Sequence, residues 1–346
     1  MVLVLDILAP RTPYFLPEQL HQGLGGNEAT LVLWWRALRA RGVLTRVYLA
    51  GHTCGRPVAG WGILRRYAAA PGPAADVVIG WRDAAPLACA PPRALTMLYT
   101  GDRVTPNLDA LTAGCDLVFV GSPAAYDRYS RQLRPRRGWL VDSCGHALPG
   151  TAQVPRRRWR CVHASAPYRG LAPLLQLWPQ IHQALPDAEL LVLGGYQLWG
   201  YRERVARDLA LREVPALADP PPGVRYLGPL PREQYARALA SAEVMLYPTA
   251  YEEMCCIAAL EAAACGTVPV LSAVGALTAR VQHDRTGLLI DGDITQPRVR
   301  ARFAGQTVRL LRDVPRLRLL STNARAAAAD HTTDRVVDRL LEAISR

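Results

Sequence analysis

The chain has 346 residues, half of them apolar and 20% charged, and its formal net charge is +12. This length allows two α/β domains, and the composition excludes a disordered or fibrous protein. No apolar run approaches the roughly 20 residues that a membrane-spanning helix needs. The eight cysteines show no C-x-x-C spacing, which favours reduced thiols in a cytoplasmic protein.

The positive charge comes entirely from arginine, because the chain contains no lysine. Two interpretations of this excess stay open. A coding bias towards Arg, Ala, Pro and Gly would produce it without any function, whereas a basic surface would attract an anionic acceptor or the acidic inner face of a membrane. A nucleic-acid partner is not expected, since neither zinc-finger spacing nor an RNA-binding aromatic signature accompanies the charge.

The first half of the chain alternates short apolar runs with amphipathic segments. We predict strands at residues 2–7, 46–50, 76–80, 95–99, 117–120 and 139–141, and helices at 28–41 and 123–132. The first run lacks a basic segment and meets Asp6 early, so it indicates a strand and not a signal peptide. Continuous apolar strands that alternate with helices predict a parallel, doubly wound sheet.

A glycine-rich segment, GLGGNE at residues 23–28, follows the first predicted strand. Gly25 and Gly26 are expected to form a loop, and Asn27 is the predicted N-cap of the helix after it. A glycine loop that leads into a helix N-terminus suits a phosphate group. A plain turn is the alternative interpretation of the same residues.

The second half of the chain repeats the pattern of the first. A proline- and arginine-rich stretch at residues 145–158 has the composition of a linker. Strands are then predicted at residues 160–164, 190–193, 224–227, 244–247 and 268–271, and helices at 170–184, 203–211 and 334–344. This order predicts a second α/β domain, followed by an amphipathic helix at the end of the chain.

The most informative segment is YPTAYEEMCCIAALEAAACGTVPV at residues 247–270. Glu253 lies in the predicted loop after a strand, and Glu261 lies inside the Ala-rich helix that follows. Seven residues separate the two glutamates. Anionic ligands bind where strands end and helices begin, because free N–H groups and the helix dipole point at them there. Two carboxylates at that place suit the hydroxyls of a sugar nucleotide. Glu252 duplicates the charge of Glu253, so the two could exchange roles.

This segment resembles the E-x7-E donor site of retaining glycosyltransferases with the GT-B fold, in the large family 4 (glycosyl transferases group 1). The resemblance continues through VRYLGPLPREQYARALASAEVMLYPT before the segment and VGALTARVQHDRTGLLIDGD after it. It implies an α/β fold of two Rossmann-like, doubly wound domains that face a central cleft. Residues 1–148 would form the acceptor domain and residues 149–331 the donor domain, with the helix at 332–346 packing back on the first.

The resemblance implies roles for the two carboxylates and for the turn between them. Glu261 would accept hydrogen bonds from the ribose hydroxyls, and Glu253 would contact the transferred sugar. Cys256, Ile257 and Ala258 lie where the family has a glycine-containing turn whose amides contact the diphosphate or the sugar. Cys256 takes the glycine position and needs a backbone conformation that glycine adopts more readily.

The base and the sugar of the donor are expected near two further strand ends. The segments that would recognise them are residues 194–196 and 226–230, which contain Gly195 and Leu230. Recognition there would depend on backbone and loop shape. One sequence therefore does not predict which base or sugar is bound.

The family also uses a pair of cations beside the departing diphosphate, because new negative charge on a leaving group must be stabilised. Arg169 matches the second position of that pair and precedes Gly170 at a predicted helix start. The first position falls on Ala164. We expect His163, or an arginine from elsewhere, to supply the missing charge, with slow turnover as the alternative.

The N-terminal half departs furthest from the family, which often has a histidine near the reactive carbon. The comparable segment here is LTMLYTGDRVTPN, in which Asp102 is the best polar candidate on the acceptor side. Its role as base, hydroxyl ligand or helix cap stays open. Trp81, Arg82 and Asp83 follow another predicted strand and are candidate acceptor contacts.

The resemblance implies a retaining hexosyltransferase that moves a sugar from a nucleoside diphosphate sugar to an acceptor hydroxyl. It implies no metal and no cofactor besides this co-substrate, since GT-B enzymes use protein cations and helix dipoles. The acceptor, whether glycan, lipid-linked or small molecule, is not predicted. The alternatives are a non-catalytic sugar-nucleotide-binding protein and a GT-B sugar-nucleotide epimerase or hydrolase.

Overall fold

The computed structural model describes residues 2–51, 58–69, 73–111, 114–143, 146, 148 and 154–346. It contains two compact units. Unit 1 comprises Met1–Leu20, Gly26–Cys144 and Thr333–Arg346, and unit 2 comprises His21–Gly25 and Gly145–Thr332. The segment His21–Gly25, expected within the first domain, therefore groups with unit 2. Half of the expected linker, residues 145, 147 and 149–153, lies outside the described residues.

Unit 1 contains a parallel sheet of seven strands in the order β3-β2-β1-β4-β5-β6-β7. The strands are β1 Val4–Pro13, β2 Leu44–Ala50, β3 Trp61–Ile63, β4 Val77–Trp81, β5 Leu95–Thr100, β6 Leu117–Val120 and β7 Gly138–Val141. Helix α1 spans Gly26–Ala40 and α2 spans Pro123–Tyr129. Strand β1 pairs with both β2 and β4, so the strand order reverses there, as in a doubly wound sheet.

Unit 2 contains a parallel sheet of six strands in the order β10-β9-β8-β11-β12-β13. The strands are β8 Arg160–Ala164, β9 Glu189–Leu193, β10 Val224–Gly228, β11 Val244–Tyr247, β12 Val268–Ser272 and β13 Leu288–Ile290. The helices are α3 Leu171–Ala184, α4 Glu203–Glu213, α5 Arg232–Ser241, α6 Ile257–Ala264, α7 Pro297–Arg312 and α8 Val314–Ala328. Nearly every residue of β9, β11 and β12 is apolar and buried, which is typical of parallel strands covered on both faces.

The last helix, α9 Thr333–Ser345, belongs to unit 1 and packs against α1. Its apolar face is buried, and Arg41 after α1 forms ion pairs with Asp334 (3.0 Å) and Asp338 (2.6 Å). These two pairs are largely exposed, so the buried apolar face supplies most of the stabilisation.

Short 3-10 helices connect several of these elements. They span Pro17–Gln22, Leu64–Ala69, Ala85–Cys89, Leu108–Leu111, Tyr196–Trp199, Pro215–Leu217, Gly275–Ala279 and Ala329–His331. No helix in the described part of the chain is long and apolar enough to cross a membrane.

The strands differ from prediction mainly at their ends. Strand β1 continues to Pro13 where residues 2–7 were expected, and its pairing with β2 shifts register between Ala9 and Pro13. Strand β3 was not predicted, because three residues are too few to show a periodicity.

Candidate functional site

Glu253 follows β11 at the carboxyl edge of the unit 2 sheet and is only 3% exposed. Its carboxylate accepts a hydrogen bond from the Tyr247 hydroxyl (2.6 Å), and Nη1 of Arg169 lies 3.4 Å from both of its oxygens. Burial lowers the pKa of Arg169, but the charge of Glu253 and the hydroxyls of Tyr247, Tyr168 and Tyr251 together outweigh burial and hold that pKa well above its usual value. The structure thus pairs two predicted site residues that are distant in sequence.

The same geometry distinguishes Glu253 from its neighbour Glu252. Glu253 is buried and faces Arg169, whereas Glu252 is partly exposed. The exchange of roles that the sequence allowed is therefore not favoured.

Gly170 allows Arg169 to reach this place. It adopts φ +99°, and a Cβ atom added there would lie 2.6 Å from the Pro248 carbonyl oxygen and 3.0 Å from Cβ of Thr249. Both neighbours belong to the loop after β11 that carries Glu253. The close approach of this loop to the start of α3 therefore requires glycine.

We predict that Gly170→Ala lowers the free energy of unfolding by about 2–4 kcal/mol, from backbone strain and from overpacking. Gly228→Ala is the matched control, because Gly228 also has a positive φ (+66°) but has nothing within 4 Å of an added Cβ. Gly228→Ala should cost only about 1–2 kcal/mol. Urea unfolding measures the free energy of unfolding of both variants. If the two variants lost the same free energy, the contact between Gly170 and Pro248 would not be tight.

Glu261 is the fifth residue of α6 and is 5% exposed. Nδ1–H of His146 donates to its Oε1 (3.0 Å), the Tyr235 hydroxyl donates to Oε2 (2.8 Å), and Arg232 lies 3.9 Å away. Burial raises the pKa of Glu261, but the hydrogen bond and charge of His146, together with Arg232 and Tyr235, hold it below its usual value. Glu261 is thus a charged, buried acceptor, and a carboxylate has more acceptor sites than these partners use.

Three partners of Glu261 were not assigned by the sequence: His146, Tyr235 and Arg232. Arg232 and Tyr235 are three residues apart on α5, so they share one helix face, and this spacing could have indicated a common partner. No local signal marks His146, which lies 115 residues before Glu261.

The turn between the two carboxylates has the backbone conformation that the sequence required. Cys256 adopts φ +57° and ψ +68°, the left-handed region that favours glycine, and it immediately precedes α6. Ile257 and Ala258 open the helix, so the amides of its first turn lie at the same edge of the sheet as Glu253. Burial raises the pKa of the Cys256 thiol, which keeps it protonated and neutral.

The other predicted donor contacts also follow strand ends of unit 2. Gly195 follows β9, and a Cβ atom there would lie 2.5 Å from Oε1 of Gln197. Leu230 follows β10, and its carbonyl oxygen lies 2.5 Å from where a Cβ of Gly23 would be placed. The segment His21–Gly25 therefore packs closely against the end of β10.

The missing first cation is not supplied by His163. Ala164 is buried at the end of β8. His163 is fully buried, its Nδ1–H donates to the Leu246 carbonyl (2.9 Å), and desolvation lowers its pKa to about 4. The expectation that His163 compensates is wrong, because this histidine is neutral near pH 7.

In unit 1, Asp102 follows β5 and accepts a hydrogen bond from Nε of Arg82 (2.6 Å). Nη1 of Arg82 lies 3.7 Å from the carboxylate of Glu28 on α1. Burial raises the pKa of Glu28, and the positive charge of Arg82 lowers it by less. Asp102 does not cap a helix: the next helical segment in the described chain begins at Leu108. It is an ion-paired carboxylate at the carboxyl edge of the sheet.

Two neighbours of Arg82 are structural and not acceptor contacts. Trp81 is fully buried and stacks on Tyr99 at 3.8 Å between ring centroids. Asp83 is buried and accepts from the Asn107 side-chain amide (2.8 Å) and from the Ala85 N–H (3.0 Å). The prediction that Trp81 and Asp83 contact the acceptor is therefore wrong. Trp81 is inaccessible, and the carboxylate of Asp83 already binds partners within unit 1.

The helix after the glycine loop begins earlier than predicted. Gly26 is already the first residue of α1, and its carbonyl accepts from the Thr30 hydroxyl (2.7 Å). Asn27 is therefore inside the first turn and is not the N-cap. Gly25 is buried and ends the segment that groups with unit 2.

The described residues contain no group of three or more His, Cys, Asp or Glu side chains that could hold a metal ion. The site in unit 2 instead combines two carboxylates, the guanidinium groups of Arg169 and Arg232 beside them, and a helix N-terminus at one edge of a parallel sheet. This arrangement suits a ligand with both hydroxyl groups and phosphate groups.

Comparison with known proteins identifies the family. Residues 160–313 match the model of glycosyl transferases group 1. A D-inositol 3-phosphate glycosyltransferase from Salinispora tropica is 31% identical over 238 residues, which cover 68% of this chain and 45% of that protein. The chain spans about half the length of the curated relatives it matches. Through residues 160–313 the chain belongs to the glycosyl transferases group 1 family, as the E-x7-E segment and its flanks indicated.

Solved structures confirm the predicted GT-B fold. Sucrose-phosphate synthase from Thermosynechococcus elongatus superposes with a TM-score of 0.76 at 16% identity, over 98% of each chain. The Anabaena protein HepE, solved in complex with UDP-glucose, superposes with a TM-score of 0.67 at 15% identity, over 99% of each chain. Identities this low describe the fold and not the substrate.

Proposed function

We propose that the protein is a retaining glycosyltransferase that moves a hexose from a nucleoside diphosphate sugar to an acceptor hydroxyl. The observation that carries this proposal is the buried Glu253–Arg169 pair just before α6, with the buried carboxylate of Glu261 in the second turn of the same helix. In the proposed complex the diphosphate lies against Arg169 and α6. Glu261 accepts from the ribose and Glu253 from the hexose.

Charge neutralisation in this proposal comes from the protein and not from a metal ion. Arg169 contributes a full positive charge, and the N-terminus of α6 contributes the equivalent of about half a charge. Only one guanidinium is assigned because Ala164 replaces the first cation of the family. We therefore expect slower turnover than in relatives with both cations, since each removed donor weakens stabilisation of the leaving group.

The way Glu253 is held supports the proposed retention. Its oxygens are engaged by Arg169 and Tyr247, which suits an acceptor for a sugar hydroxyl better than a nucleophile or a free base. In the proposed mechanism the acceptor hydroxyl attacks on the face that the diphosphate leaves. A phosphate oxygen takes its proton.

A second candidate is a protein that binds the donor without transferring it. Ala164 at the position of the first cation and the neutral His163 favour it, because both reduce the positive charge beside the leaving group. Peripheral contact with an anionic membrane stays a prediction from the net charge of +12.

Transfer can be measured by UDP release from UDP-glucose, the nucleotide sugar bound by HepE, with inositol phosphate and oligosaccharide acceptors in turn. The proposal predicts release that depends on the acceptor, an unchanged rate in EDTA, and a product with the donor's anomeric configuration by proton NMR. An inverted product, or loss of activity in EDTA, would contradict it. Donor binding without release, tested also with GDP- and ADP-glucose, would favour the binding protein.

A further inference from the structure

Five aromatic side chains form one continuous group at the carboxyl edge of the unit 2 sheet, which we call the aromatic ridge. Its members follow β8, β9 and β11, and they are Tyr168, Tyr196, Trp199, Tyr201 and Tyr251. Tyr168 lies at its centre, with ring centroids 5.3 Å from Tyr251 and 5.9 Å from Trp199. Trp199 in turn lies 5.2 Å from Tyr196, which contacts Tyr201 at 6.3 Å. The ridge is therefore a single packed surface.

Three members of the ridge are exposed. The exposed fractions are 37% for Tyr168, 42% for Trp199 and 46% for Tyr201. Single exposed apolar residues are common on protein surfaces, but contiguous ones mark sites of interaction. Stacking within the ridge also fixes the rings before any ligand arrives, which lowers the entropic cost of binding.

A cavity of about 420 Å³ adjoins the ridge. Tyr168 and Tyr251 contribute to both, and the rest of the lining includes Thr249, Thr295, Gln176 and Arg300. This volume falls within the range of small-molecule sites, and hydroxyl and amide groups stand among its apolar walls. The cavity and the ridge together offer flat aromatic faces beside hydrogen-bonding groups.

The chemistry of this surface fits a neutral sugar better than an anion. A pyranose ring has an apolar C–H face, which packs on an aromatic face, and a hydroxyl-bearing edge, which binds threonine and amide groups. Arg300, the arginine that lines the cavity, donates to the carbonyls of Ile294 and Thr295. Its guanidinium group is thus committed to backbone partners.

We propose that the aromatic ridge and its cavity form a second carbohydrate site, which takes a neutral oligosaccharide beside the Glu253–Arg169 pair. Arg169 lies over both Tyr168 (5.2 Å) and Tyr251 (4.8 Å), so the ridge begins where the proposed donor site ends. Oligosaccharide binding at the ridge does not depend on the proposed function. Its assignment as the acceptor site rests on that function, and it would place a glycan acceptor on unit 2.

The test measures binding of maltotriose, cellotriose and triacetylchitotriose to the full chain without donor, by saturation-transfer NMR and calorimetry. Trp199→Ala and Tyr201→Ala should each weaken binding of the preferred trisaccharide about tenfold, because one aromatic contact contributes roughly 1 kcal/mol or more. Tyr126→Ala is the matched control: Tyr126 is 37% exposed and packs on Trp139 in unit 1. It should leave the affinity unchanged.

Melting temperatures confirm that each variant is folded, and UDP-glucose binding is measured on the same samples. Failure of all three trisaccharides to bind the wild type would overturn the proposal. Equal affinity of Trp199→Ala and wild type would overturn it too, as would binding of hexaproline in place of the sugars, since aromatic grooves also hold polyproline helices. A wild type that binds a trisaccharide but not UDP-glucose would count against the proposed function and not against this site.

Discussion

Arg169→Ala should lower kcat by about 10²–10³-fold, because the proposed reaction loses the guanidinium beside the leaving diphosphate. The same change should lower the free energy of unfolding by about 3 kcal/mol, since it leaves the buried carboxylate of Glu253 without its ion-pair partner. Steady-state kinetics and urea unfolding measure the two effects separately.

Arg136→Ala is the control for this prediction. Arg136 also pairs with a carboxylate, that of Asp116 at 3.0 Å, but its side chain is 52% exposed, so its loss should cost less than about 1 kcal/mol. The double variant Arg169→Ala/Glu253→Gln should recover part of the lost stability, because it removes the unpaired charge. If Arg169→Ala were as stable and as active as Arg136→Ala, the Arg169–Glu253 pair would contribute neither to the stability of the fold nor to the reaction.

Glu261→Ala should be the most damaging change to donor binding. It removes the acceptor of both His146 and Tyr235, and we expect a loss of about 3 kcal/mol in stability from these buried groups. Glu261→Gln keeps the volume and one acceptor oxygen, so it should lose less stability but still bind the donor weakly.

The matched control for Glu261 is Glu233→Ala. Glu233 lies on α5 beside Arg232 but is exposed, so its removal should change stability by no more than about 0.5 kcal/mol. Thermal unfolding with and without UDP-glucose compares the variants. Glu261→Gln with wild-type donor affinity would show that this carboxylate does not contact the nucleotide.

The sequence predicted most of the second unit because its signals are local. Strands β8 and β11 have the predicted bounds, since each is a short apolar run between clear breaks. The strain at Cys256 was also predictable, because the E-x7-E pattern places this residue at a turn that normally needs glycine. Its φ of +57° agrees.

The predictions that were wrong depended on tertiary context. A histidine near a phosphate site is a reasonable cation, but burial makes His163 neutral. Trp81 follows the predicted strand at 76–80 as an exposed contact would, yet it is the last residue of β4 and is buried in a stack with Tyr99. The partner His146 of Glu261 was not predictable, because its contact joins residues 115 positions apart and leaves no periodic signal.

The central claim is that unit 2 binds a nucleotide sugar through Glu261. The most direct measurement is thermal unfolding of the wild type and of Glu261→Gln with UDP-, GDP- and ADP-glucose. One donor class should stabilise the wild type by about 2.7 kcal/mol at 100 times its dissociation constant, and Glu261→Gln should lose that gain. If no nucleotide sugar stabilised the wild type, or if both proteins gained equally, the account of the donor site would be contradicted.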